Sequence, residues 1–182
     1  MPDTSATGGY LTLSADSYDL NHVVHDFIMG LTAIDKTLIR PMYQPNAPVV
    51  PSFGTNWIAF NVKEADSEGF ASQELKTSYS MKRSAQLIVT ISFYGSSAYQ
   101  NIKSFKDSLE ITQNWEAVRT YGMAFGGSGN IIKIPELHNM RWLDRYNIEI
   151  IINQMTTKTP SIISLEKVST IKTVNTSIVI NR

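Results

Sequence analysis

The stretch RPMYQPNAPVVPSFGTNW, residues 40–57, places four of the chain's seven prolines at positions 41, 45, 48 and 51. Proline fixes its own φ and donates no backbone hydrogen bond, so the stretch fits neither a helix interior nor a central strand. Closely spaced prolines favour extended polyproline II, the conformation of linkers and of ligands for proline-binding domains. The position argues for another role. An amphipathic pattern ends just before the stretch and a short aromatic, β-branched run opens just after it, so it reads as a stiff brace between helix and sheet. Gly54 supplies a turn ahead of Trp57.

Upstream, apolar residues recur at Leu20, Val23, Val24, Phe27, Ile28, Leu31, Ile34 and Leu38, the i, i+3, i+4, i+7 signature of one helix face. Ser17 is an N-cap residue and Asp19 suits the helix dipole. Pro41 disfavours α geometry at Arg40, so the spacing predicts one helix from Ser17 that stops by Arg40. Residues 1–16 lack periodicity and are expected to form a flexible arm.

Downstream, residues 57–62 predict a strand, followed by a polar loop to Gly69. Two further strands, 74–80 and 86–94, are predicted to form a hairpin around the polar Met81-Lys-Arg-Ser84. Leu87, Val89, Ile91 and Phe93 share one face with period two. Ser97 to Gln100 matches a capping box, with Ala98, Ile102, Phe105 and Leu109 at helical spacing behind it. Trp115, Val118 and Tyr121 suggest a short helix ended by Gly122, and Gly126 to Gly129 a loop. Tyr146, Ile148, Ile150 and Ile152 alternate with polar residues in a further strand, interrupted only by Ile151. Residues 161–182, rich in Ser, Thr, Ile and Val, predict a β-prone arm that completes its sheet on a partner. The expected architecture is α+β, an antiparallel sheet with helices on one face, spanning 17–160 between two extended arms.

At 182 residues, one domain is enough to bury about 70% of the surface the unfolded chain exposes. Sixteen basic residues balance sixteen acidic ones, which gives no electrostatic case for sequence-tolerant nucleic-acid binding. Charge near zero tolerates association. The absence of cysteine excludes disulfides, thiolate metal sites and cysteine nucleophiles. No apolar run exceeds the four residues 57–60, and the N-terminal stretch is acidic where a signal peptide would be basic, so the chain reads as soluble and made in the cytoplasm.

Catalytic patterns are scarce. His22 and His25 stand at i and i+3 on the first helix, a spacing that can hold a metal, but a third ligand is lacking and they flank the apolar stripe as ordinary helix residues would. GGSG has neither the Lys-Ser/Thr of a P-loop nor the preceding strand of a dinucleotide site. No nucleophile elbow or zinc helix occurs. Trp57, Trp115 and Trp142 are either core residues or anchors of a subunit interface.

The order RPMYQPNAPVVPSFGTNWIAF, then FYGSSA, then SLEITQNWEAVRTYGMAFGGSGNIIKIPELHNMRWLDRYNIEIII resembles the phage neck terminator family, the tail terminators of tailed bacteriophages. The resemblance rests on residues 35–155. Its carriers are Pro45, Pro48, Pro51, Gly54 and Trp57, then Gln113 and Asn114, then Pro135, Arg141, Trp142 and Arg145, all of them also candidate interface residues.

The resemblance implies a structural virion protein with no enzymatic activity and no cofactor or metal. Such a subunit forms a ring, generally of six copies, that caps the tail tube, stops its growth and meets the head–tail connector. DNA passes through the ring without being read. The resemblance implies assembly in the host cytoplasm and residence in the virion tail or neck, and a tail sheath is a further partner for the C-terminal arm. Two other readings stand beside it: another head-completion or adaptor protein of the neck, and a small α+β enzyme or ligand-binding domain, which a deep polar pocket would favour.

Overall fold

In the computed structural model, which describes residues 18–46, 49–65, 72–75 and 79–158, the central element is β4, Tyr79–Tyr94, a strand of 16 residues. At about 3.4 Å per residue it runs roughly 50 Å. β9 (Arg145–Lys158) lies antiparallel to it from Tyr94↔Arg145 to Met81↔Lys158. On its other side lie β2 (Trp57–Ala65) and β3 (Ser72–Leu75), both antiparallel to β4. β1 (Ile39–Pro41) pairs in parallel with the start of β2, and β5 (Met123–Ser128) with β6 (Ile132–Lys133) flanks β9. β7 (Glu136–His138) and β8 (Arg141–Leu143) form a separate hairpin. The expected α+β fold is therefore present, with one parallel edge strand added to the antiparallel sheet.

Period two decides which side of the sheet is covered. Ile58 and Phe60, then Leu87, Val89, Ile91 and Phe93, then Ile148, Ile150 and Ile152 point to one face and are buried there. They meet α1 (Leu20–Leu31) through Val24, Phe27 and Ile28, and α2 (Ala98–Leu109) through Ile102, Phe105 and Leu109. Trp115, from the 3₁₀ turn Thr112–Trp115 that leads into α3 (Glu116–Arg119), closes this core. Its ring lies 4.5 Å from Phe27 and 5.1 Å from Phe125, and its indole N–H donates to Leu109 O at 2.7 Å. A buried donor and the last turn of α2 are thereby satisfied together. Ile151 faces the opposite, solvent side, which explains its interruption of the alternation.

Four local expectations are corrected. The first helix begins after Asp19, whose side chain accepts from Asn21 N, not after Ser17, and it stops at Leu31, not near Arg40. Thr32 turns extended with its hydroxyl donating to Ile28 O, and Asp35 caps a 3₁₀ turn through Thr37. Side chains that bond the nearby backbone offer it an alternative to the helix. Ile39 and Pro41 thus belong to an edge strand, where a proline is tolerated.

Residues 81–84 continue β4 and do not turn; their polarity marks a strand that has run past the helix-covered core. Ser97 does occupy the N-cap of α2, but its side chain makes no capping bond. Gly126–Ser128 is strand, not loop, with a register shift between Phe125 and Gly127. A Cβ on Gly126 would stand 2.9 Å from Ile151 Cγ2 and 3.0 Å from Ile151 O, so only glycine lets β5 lie this close to β9. The arms expected at 1–16 and 161–182 fall outside the described residues. Among the described residues no helix is long and apolar enough to cross a membrane.

Candidate functional site

Most of the residues singled out in the sequence meet at one end of the sheet, where β2 and β9 start and β4 ends. Trp57, Tyr94 and Arg145 form a cross-strand row there on the face away from the helices. The Trp57 and Tyr94 rings are stacked, with centroids 3.9 Å apart and planes 4° from parallel. The Arg145 guanidinium lies 5.5 Å from the Tyr94 centroid, within cation–π range. Burial pushes the Tyr94 phenol up, with Arg145 acting against it. Arg145 Nε donates to Asn147 Oδ1 at 3.0 Å, and Nη1 donates to Glu136 Oε2 at 3.3 Å. One guanidinium therefore ties the sheet to β7. Asn147 Oδ1 also accepts from Ser92, a fully buried hydroxyl.

The proline segment covers this row from one side. Arg40 clasps it: Nη1 donates to Val49 O at 2.8 Å while Nε donates to Thr37 O at 3.0 Å. Pro51 is half-buried against the row and Pro45 is exposed; Pro48 lies outside the described residues. Gly54, with φ at 91°, sits in a turn closed by Thr55 N donating to Ser52 O. Between segment and row lies a cleft of about 260 Å³ lined by Met42, Pro51, Trp57, Tyr94 and Arg145. That is below the usual size of a small-molecule site.

The β7–β8 hairpin covers the other side. Leu143 packs on Ala59 and Tyr94 in a small second core. Its outer face is exposed: Leu137 and Trp142 stand opposite each other in register and are 59% and 66% exposed. The tip residues Asn139 and Met140 have φ of 48° and 61°, the positive values of a type I′ turn. Met140 is 96% exposed. Asparagine accepts that conformation readily, whereas methionine in it costs roughly 1–2 kcal/mol. Arg141 reaches back across Phe53, 5.6 Å from the ring centroid. Pro135 leads into the hairpin, and beside it Lys133 pairs with Asp144 at 2.9 Å.

Gln113 and Asn114 lie elsewhere, beyond the end of α2. Asn114 Nδ2 donates to Ser108 O at 2.8 Å, a helix-closing role, and Gln113 is exposed. Of the histidines, both His22 and His25 approach Asp26, at 3.3 and 3.0 Å. Among the described residues no group of three or more His, Asp or Glu is placed to hold a metal.

Two participants were not singled out in the sequence: Tyr94, the middle of the aromatic row, and Met140, the hairpin tip. Asn56, the polar neighbour of Trp57, accepts the Ser97 N–H. Asn139 between Leu137 and Trp142 is the signal that would have revealed the hairpin.

What the end of the sheet offers is thus an exposed apolar surface on a braced scaffold. A family model described as phage neck terminator protein matches residues 18–182. The chain belongs to the phage neck terminator family. The match is wider than the 35–155 on which the resemblance rested and includes the C-terminal segment. No curated protein matches the chain. Neck terminators are structural proteins of the phage head–tail junction, and the apolar hairpin, the braced proline segment and the Trp57–Tyr94–Arg145 row belong to such a component.

Proposed function

We propose that this neck terminator is the subunit of a ring, of six copies, that caps the tail tube, stops its elongation and joins the tail to the head connector. The observation that carries the reading is the hairpin. Leu137, Met140 and Trp142 are held out in water together by a turn that strains Met140. Exposed apolar clusters on a braced support mark protein interaction sites. A ring repeats one heterologous contact, in which a patch of one copy meets a different patch of the next.

In this reading DNA passes through the ring, the tube protein and connector meet its two ends, and the segment 161–182 adds to a sheath or tube neighbour as an extra strand. The protein assembles in the host cytoplasm and resides in the virion neck. Phage lacking this chain should yield filled heads without tails and tails of uncontrolled length in electron micrographs. Normal tails joined to heads would reject the function.

A further inference from the structure

We propose that the C-terminal end of the chain, residues 178–182, docks into the groove between α1 and α2 of its own subunit and latches the C-terminal arm to the free protein. The docking is a property of one copy and stands apart from the ring reading. Where the same arm adds to a neighbour as a strand, it must first leave the groove.

The groove, about 500 Å³, opens on the helix side of the sheet and has the volume of a ligand site. Leu31, at the end of α1, and Ile34 and Leu38, in the segment after it, give an apolar wall. Opposite them, Ser97 carries a hydroxyl that makes no capping bond, and Asn101, one turn further along α2, carries an amide. An apolar wall facing hydrogen-bonding groups suits an extended peptide, whose side chains take one and whose backbone takes the other.

Charge narrows the choice of peptide. Asp35 is the one charged residue among those lining the groove. Thr37 donates to it twice, from its hydroxyl and its backbone N–H, and both bonds fall on Oδ1. They hold the carboxyl below the usual range, hydroxyl first, so it is ionised and favours a cationic side chain at Oδ2.

Two terminal segments lie outside the described residues, and they differ in the property that this groove selects. Residues 1–17 contain Asp3 and Asp16 and no Lys or Arg. Residues 159–182 contain Lys167, Lys172 and Arg182 against Glu166 alone. The neck terminator model leaves out the first segment and includes the second.

Reach then chooses the stretch. The run of β4–β9 pairs separates Lys158 from the level of Tyr94 and Ser97 by about 45 Å at 3.4 Å per residue. Extended, residues 159–172 span about 48 Å, with no slack to round the sheet, whereas residues 159–182 reach about 80 Å. Within the stretch that reaches, Ile178, Ile180 and Arg182 alternate with Val179 and Asn181. An extended chain therefore turns both isoleucines and the arginine to one side, where Leu31, Ile34 and Leu38 stand beside Asp35.

Because the chain has no cysteine, Ala33→Cys and Asn181→Cys introduce the only thiols. Ala33 is exposed in the groove. In the purified full-length chain at high dilution, mild oxidation should link the two within one copy, seen as a faster-migrating monomer on a non-reducing gel. The link should form at least tenfold faster than one between Asn181→Cys and Gln113→Cys, an exposed site beyond the far end of α2. Adding Ile178→Ser with Ile180→Ser, or Arg182→Glu, should slow it to that control rate and leave the circular dichroism spectrum unchanged.

Equal rates at the two sites, or a rate that these tail substitutions do not slow, overturn the docking. Links that form only between copies overturn its assignment to the chain's own groove. Each of these outcomes leaves the ring reading standing, since that is decided by the tails of phage lacking the gene.

Discussion

Asn56 Oδ1 accepts the backbone N–H of Ser97 at 2.9 Å, joining the start of β2 to the start of α2 across 41 residues of chain. Gly95 makes the approach possible. Its φ is 106°, and a Cβ there would stand 2.5 Å from both Thr55 O and Asn56 Oδ1. The GTNW and FYGSSA segments are therefore two halves of one joint: one supplies the capping oxygen, the other the gap and the orphan N–H. Asn56→Ala should cost about 1 kcal/mol, as loss of a helix cap does. Gly95→Ala should cost more, since it adds a clash to an unfavourable φ. Urea denaturation of both variants, with unchanged m-values, checks the order.

Trp115 carries a second joint. Trp115→Phe keeps an aromatic ring beside Phe27 and Phe125 but leaves Leu109 O without its indole donor. An unpaired buried polar group costs about 1–3 kcal/mol. Trp115→Ala should lose roughly 3–5 kcal/mol because a cavity is added. Thermal unfolding should rank wild type above Trp115→Phe, and that above Trp115→Ala.

Tyr94 gives the fold an alkaline sensitivity. Burial raises its phenol pKa, so the folded state holds the proton more tightly than the unfolded chain. The associated stability is whole below the unfolded value, about 10, and is lost as the pH rises through the folded one. Tyr94→Phe lacks this loss. Denaturation midpoints of the two proteins compared from pH 8 to pH 11 should move together up to about pH 10 and then shift in favour of the Phe variant.

The proline brace should matter more to assembly than to folding. Replacing Pro45, Pro48 and Pro51 by Ala should cost the subunit about 0.4–1 kcal/mol at each position, through the greater entropy of the unfolded chain. Head–tail joining should fall at least tenfold. Complementation of a phage lacking the gene, read as infectious particles, measures the second effect beside a melting curve for the first; undiminished infectivity would remove the brace.

What the sequence disclosed followed from period and burial. The stripe in β4 and the alternation in β9 were legible because each strand has one face under helices and, over much of its length, one towards solvent, so Leu87 and Ile150 differ sharply from Gln86 and Glu149. The helix end was not. Ile34 still packs against the core from outside any helix, so its spacing remained apolar where the backbone had turned. The continuation of β4 through residues 81–84 was hidden for the opposite reason: beyond the helices both faces are wet, and a two-faced polar strand has the composition of a turn. At the site, the prolines, Trp57 and Arg145 were visible as residue types. Their gathering into one row depends on strand register, which no local pattern encodes.

That register also decides how the subunit bears load. Fourteen consecutive β4–β9 pairs, from Met81↔Lys158 to Tyr94↔Arg145, run along one axis, so a pull along the strands must shear all of them at once. The three pairs of β7 and β8 form a short separate ribbon that can peel one pair at a time. Under a pull along the strands the hairpin would therefore give way before the sheet does, a weak clip on a strong plate.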